Sequence, residues 1–143
     1  MDDITLFTEQ LLLKKVEHGM LQKEQVDIPV EHTFSGGVYI RQISIPKGTI
    51  LMGKRHRHET CNILVSGELS IYMGEDIPIN RVKGPFLFTS EPNTKKLAYC
   101  HENAVFMNIH PTEETDLEKI ENEFIIPEKE YELLMEGETL CLG

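Results

Sequence analysis

Between Thr33 and Pro111 the chain is cut into short apolar runs of period two, each closed by turn residues. "VYIRQISI" is followed by "PKG", "TILMG" by "KRHRHE", "CNILV" by "SG" and "ELSIYM" by "GED". "INRV", "FLFT", "KLAYC" and "AVFMNIH" follow in the same manner. Alternation at this spacing puts one face of each run in a core and the other toward water, so the runs read as strands. Short strands with short connections build an antiparallel sandwich or barrel and leave no room for the helices of βαβ units. The expected class is therefore mainly β: a single antiparallel β-barrel over 33–111, with Ser66-Gly67, Gly74-Glu75-Asp76 and His101-Glu102-Asn103 as hairpin turns.

Two helical patterns flank the barrel. "TEQLLLKKVEHGM" places Leu12, Leu13, Val16 and Met20 on one stripe, with Thr8 as N-cap and Gly19 as stop. Lys14, Lys15 and His18 then fall near the C-terminal end, where the helix dipole favours positive charge. Residues 1–32 form this helical arm and its polar link. After Pro111, "TEETDLEKIENEF" spaces Leu117, Ile120 and Phe124 helically, with Thr115 and Glu118 as a capping box. Residues 112–143 are thus an acidic helix and an extended tail that lies against a neighbouring subunit.

The net charge is −10, but it is unevenly spread. Nine Lys/Arg stand against five Asp/Glu from Arg41 to Lys96, and eleven acids against Lys119 and Lys129 from Glu113 to Glu138. The acidic segment reads as a solvated surface, or the basic middle faces an anionic ligand or an acidic partner. The acidic total, the lack of tryptophan and aromatics without basic interleaving exclude general nucleic-acid binding. No apolar run approaches the ~20 residues of a membrane helix, and "MDDITLFTEQ" carries no secretory signal pattern. Three cysteines without CxxC spacing fit a reducing cytoplasm, with Cys61 and Cys100 as buried, inert thiols. There is no G-x-S-x-G, and "FSGGVY" precedes a strand, so neither a nucleophile elbow nor a phosphate loop is present.

His56 and His58 have strand spacing, so both imidazoles leave one face. Thr60, Asn62 and Leu64 share it if no bulge intervenes, and Phe106, Asn108 and His110 share a face of a later run. Metal ligation by His56, His58 and His110, with Asn62 or Asn108 supporting, would suit zinc, iron, nickel or manganese. The spacing fits equally a wet loop at a strand entrance. His101 is expected to be exposed.

Gly48, His56, His58 and the following "ILVSGELSIYM" resemble the first motif of the cupin superfamily, and "KGPFLFTSEPNTKK" its second. The resemblance implies a jelly-roll barrel that often binds a metal through two histidines, a glutamate and a third histidine. Here Asn62 stands where that glutamate is expected, and Lys95 or Lys96 where the second motif has its histidine. Lysine is a poor metal ligand. Together with Arg55 and Arg57, it favours a carboxylate or phosphate instead. "HTFSGGVYIRQISIPKGTIL", "NILVSGELSIY" and "NIHPTEETDLEKIENEF" further resemble small cupin-like proteins of tailed bacteriophages.

Three functions follow as expectations. The first is a binding or structural protein with a His-lined pocket, phage-encoded and acting in the infected cell or in the virion. The second is a metal-dependent enzyme on a small anion such as a sugar or nucleotide derivative, and the third a non-catalytic sensor or sponge. A homo-oligomer, favoured as a dimer, would cover the outer sheet, and other phage proteins are further candidate partners.

Overall fold

The structure is a computed structural model that describes residues 3–74 and 76–134, with side chains from Leu11 onward. Its elements are α1 (Asp3–Leu21), β1 (Val30–Ser35), β2 (Val38–Ile45), β3 (Ile50–Met52), β4 (Arg55–His56), β5 (Thr60–Tyr72), β6 (Asn80–Lys83), β7 (Phe86–Ser90), β8 (Leu97–Pro111), α2 (Leu117–Phe124) and β9 (Ile125–Ile126). Residues 128–134 are again helical. All strand pairings are antiparallel.

Two long strands organise the sheet. β5 and β8 pair along most of their length, yet each changes its outer neighbour halfway. Residues 60–64 of β5 pair with β7 and residues 68–71 with β6. Residues 104–111 of β8 pair with β2 and residues 97–99 with β3. The register between β5 and β8 slips at Leu64/Ser66, Ser66/Glu68 and Glu68/Leu69. Extra residues at such bulges bend the strands, so both pass from one layer of the fold to the other. The expected turns at Ser66-Gly67 and at 101–103 are therefore not turns; they are this bend.

Gly67 makes the bend possible. Its φ is +90°, and a Cβ there would meet the Asn103 carbonyl oxygen at 2.4 Å. His101, expected as an exposed turn residue, lies within β8 with Nε2 at 2.7 Å from Ser70 Oγ.

Between the layers lie Ile43, Ile45, Leu64, Leu69, Ile71, Cys100, Ala104 and Phe106, all under a tenth exposed. Each large apolar side chain buried here contributes about 1.5–3 kcal/mol. Burial also raises the Cys100 thiol above its ordinary range, which leaves it inert; Cys61 is half-buried. The ladder does not run full circle: its order is β1-β2-β8-β5-β6, with β3 and β7 to the side. The architecture is thus an antiparallel jelly roll of two bent layers, open at the edges among the described residues.

The ends of the chain depart most from expectation. β1 begins at Val30, inside the expected polar link, and pairs with β2 as a wholly exposed edge strand. α1 starts at Asp3 and not at Thr8, since neither proline nor glycine interrupts residues 3–8. In α2 the N-cap is Asp116, whose carboxylate accepts from the Glu118 and Lys119 amides, not the Thr115–Glu118 box. The chain then returns: β9 pairs with β4, and Ile126 packs on Tyr131. Residues 125–134 thus lie against their own subunit; the tail beyond 134 lies outside the described residues.

Candidate functional site

The sheet register stacks inward-facing side chains in rungs. Tyr39 stands opposite His110, Arg41 opposite Asn108, and Asn108 opposite Asn62. The next rung is Ile43, Phe106 and Leu64. The short β4 adds His56 from one side, and Ile120 and Phe124 of α2 close another. These walls enclose a cavity of about 510 Å3, a size ordinary for small-molecule sites.

His56 and His110 meet there, with ring centroids 5.4 Å apart. His110 lies between Tyr39 and Phe124, whose centroids are 5.9 and 4.5 Å away. Burial, reinforced by the nearby Lys96 charge, lowers the His56 pKa to about 3 and that of His110 to about 4. Both rings are neutral at pH 7.

Thr60 Oγ1 lies 3.2 Å from the His58 carbonyl, to which it donates, and 2.9 Å from His56 Nδ1, and it holds that ring in place. Further in, Asn108 Nδ2 donates to Asn62 Oδ1 at 2.7 Å, and Asn62 donates on to the Thr60 carbonyl and Ser90 Oγ. Asn62 is fully buried and holds Asn108, which lines the cavity.

Two cations complete the wall. Lys96 is half-buried, and burial lowers its pKa to about 8, so it is mostly charged at pH 7. Arg41 joins it from the Asn108 rung. Neither makes an ion pair or side-chain hydrogen bond among the described residues. At the rim, Tyr39 Oη lies 2.6 Å from His32 Nδ1.

The remaining expected residues lie elsewhere. β4 is two residues long, and the backbone bends at 57–58, so the strand parity linking His56 to His58 is lost. His58 is exposed, edge-on to Phe124 at 5.9 Å. Arg55 and Arg57 flank His56 on the opposite face of the chain. Arg55 Nη1 donates to the Asn93 carbonyl at 2.7 Å, Nε is 3.4 Å from a Glu128 carboxylate oxygen, and the guanidinium sits 3.8 Å over the Tyr131 ring. Arg57 binds Glu130 through two 3.0 Å hydrogen bonds. Lys95 is buried between Glu17, at 2.8 Å, and Glu128, at 3.2 Å. The basic middle thus meets the chain's own acidic segment, and these three cations are taken.

The donor set does not fit a transition-metal centre. The imidazoles of His56 and His110 and the Asn108 amide face the cavity beside Arg41 and Lys96, His32 stands at the rim against Tyr39, and no group of three or more His, Cys, Asp or Glu side chains suited to one ion occurs among the described residues. Sequence reasoning missed Arg41, Tyr39 and His32. The signal for the first two lay in "VYIRQISI": its more apolar face ends in Ile43 and Ile45, and that parity carries Tyr39 and Arg41 inward.

No protein-family model matches the sequence, and no curated protein does. Solved structures do match. KdgF from Halomonas sp. is 13% identical, with a TM-score of 0.53 over 66% of this chain and 90% of its own. A conserved protein with a double-stranded β-helix domain from Klebsiella pneumoniae is 14% identical, with a TM-score of 0.52 over 65% and 80%. A cupin superfamily protein from Desulfitobacterium hafniense is 12% identical, with a TM-score of 0.50 over 64% and 83%.

The fold is that of the cupins. In this chain the long bent strands and the cavity between the layers have that double-stranded β-helix architecture. No helix among the described residues is long and apolar enough to cross a membrane.

Proposed function

We propose that this cupin binds a small anionic ligand in its central cavity, through Arg41 and Lys96 as charges and Asn108, His56 and His110 as neutral hydrogen-bonding groups. The observation that carries the reading is the pairing of charges. Arg55, Arg57, Lys95 and the rim residue Lys54 each have an acidic partner, whereas Arg41 and Lys96 in the cavity have none among the described residues. Uncompensated cations lining a pocket favour a carboxylate or phosphate. A second reading, proton transfer on the bound anion, is favoured by the neutral His56 imidazole lining the cavity, held at Nδ1 by Thr60. The setting we propose from the sequence pattern is a phage accessory or virion-associated protein.

Calorimetric titration of the purified chain with acetate and inorganic phosphate tests the binding reading. Binding of at least one that weakens about tenfold in Arg41→Gln and in Lys96→Gln is expected. Equal binding by wild type and both variants, or none at all, would remove it. Mass spectrometry of purified phage particles tests the setting, and absence from them would argue against a virion component.

A further inference from the structure

An anionic head group accounts for one end of the cavity only. Successive inward rungs along β2 carry Tyr39, Arg41, Ile43 and Ile45, opposite His110, Asn108, Phe106 and Ala104 of β8. Polarity therefore changes once, sharply, between the Arg41 rung and the Ile43 rung. Beyond it the cavity is walled by Leu51, Leu69, Ile71 and Ala98, and no charged side chain from that layer lines it. Rungs two residues apart on a strand are separated by ~7 Å, so the apolar end reaches about 7 Å past Arg41 to the Ile43 rung, where Ile45 and Leu69, each 2% exposed, close it. The cavity opens at its side, where the exposed Val30, His32, Lys54, Leu117 and Glu121 line it, with Lys54 and Glu121 neutralising each other.

We propose that the ligand is an amphiphilic anion: a carboxylate or phosphate head held by Arg41, Lys96 and Asn108, with an unbranched or aromatic apolar body lying against Ile43, Phe106, Leu51 and Ala98. This rests on the anion-binding reading and adds the body to it. A polyhydroxylated anion fits poorly, because its hydroxyls would lose water against aliphatic walls without a partner. A purely apolar molecule fits poorly as well, since two cations would be desolvated beside it. A head and body of opposite character match both ends.

The test is a calorimetric series on the full chain with acetate, butyrate, hexanoate and octanoate, together with inorganic phosphate, octyl phosphate and octanol. Affinity is expected to rise about three- to fourfold for each added methylene until the apolar end is filled. Octanoate or octyl phosphate should bind at least about tenfold more tightly than octanol, and Arg41→Gln or Lys96→Gln should erase that margin. Ala98→Leu, which narrows the apolar end, should lower octanoate affinity and leave acetate or phosphate unchanged. Acetate or inorganic phosphate binding as tightly as the octyl compounds would overturn the apolar body and leave anion binding standing. Octanol binding as tightly as octanoate would overturn the head-group assignment, and no binding by any anion would overturn both readings.

Discussion

Two buried neutral histidines make the stability of this protein depend on pH in a defined direction. As pH falls through 6.5, the unfolded chain takes up a proton on each ring, but the folded chain does so only near 3 for His56 and 4 for His110. Over that window the unfolded state binds more protons, so stability rises with pH and is lost as pH falls. Between pH 7 and pH 5 each ring accounts for about 2 kcal/mol, and the pair for about 3–4 kcal/mol. For a chain of this size that is a drop in melting temperature of about 10 °C. The assay is thermal unfolding at pH 7 and pH 5, in buffers free of carboxylate and phosphate, for wild type and for a His56→Gln/His110→Gln variant. The variant is expected to lose most of the drop, because glutamine takes up no proton in either state. A variant that falls by as many degrees as wild type would refute the assignment of these rings as buried and neutral.

Other predictions follow from the same packing. Arg55→Met removes the hydrogen bond to Asn93 and the contact with Tyr131, while Glu128 keeps Lys95; a loss of about 2–3 kcal/mol is expected, with faster proteolysis after residue 124, and an unchanged melting curve with unchanged cleavage would contradict it. Gly67→Ala places a Cβ against the Asn103 carbonyl at a positive φ and should cost more than about 2 kcal/mol in urea unfolding. Gly19→Ala, in α1 with open space around it, should stabilise by up to about 1 kcal/mol; equal effects at the two glycines would undo the account of the bend. The dimer expected from the sequence is checked by sedimentation at micromolar concentration, where a lone 16.4 kDa species would refute it.

Alternation is a local property, and what it encodes was legible in the chain. The strand over Val38–Ile45 has the bounds its pattern sets, and the inward parity of Thr60, Asn62, Leu64, Phe106, Asn108 and His110 agrees with their burial. That is enough to read an antiparallel jelly roll and a lumen containing His110. Alternation does not say where a strand bends without ending. Ser66-Gly67 and His101-Glu102-Asn103 carry turn residues, yet bulges in two paired strands absorb them, because each segment finds its ladder on the other. No single run contains that information.

Partner choice among charges is likewise non-local. By sequence alone Lys95, Lys96, Arg55 and Arg57 are equivalent candidates for an anion. The two-residue β4 and the returning β9 decide between them: they turn Arg55 and Arg57 toward Glu128 and Glu130, bury Lys95 between Glu17 and Glu128, and leave Lys96 with Arg41 in the cavity. The same short strand and the bend after it separate His58 from His56. The sequence determined the kind of shell and the residues that could face its interior, since side-chain period is written residue by residue. Which cations remain unpaired, and which histidines meet, the tertiary structure alone decided, because an ion pair or a shared cavity depends on distances between segments that the chain brings together only when it folds.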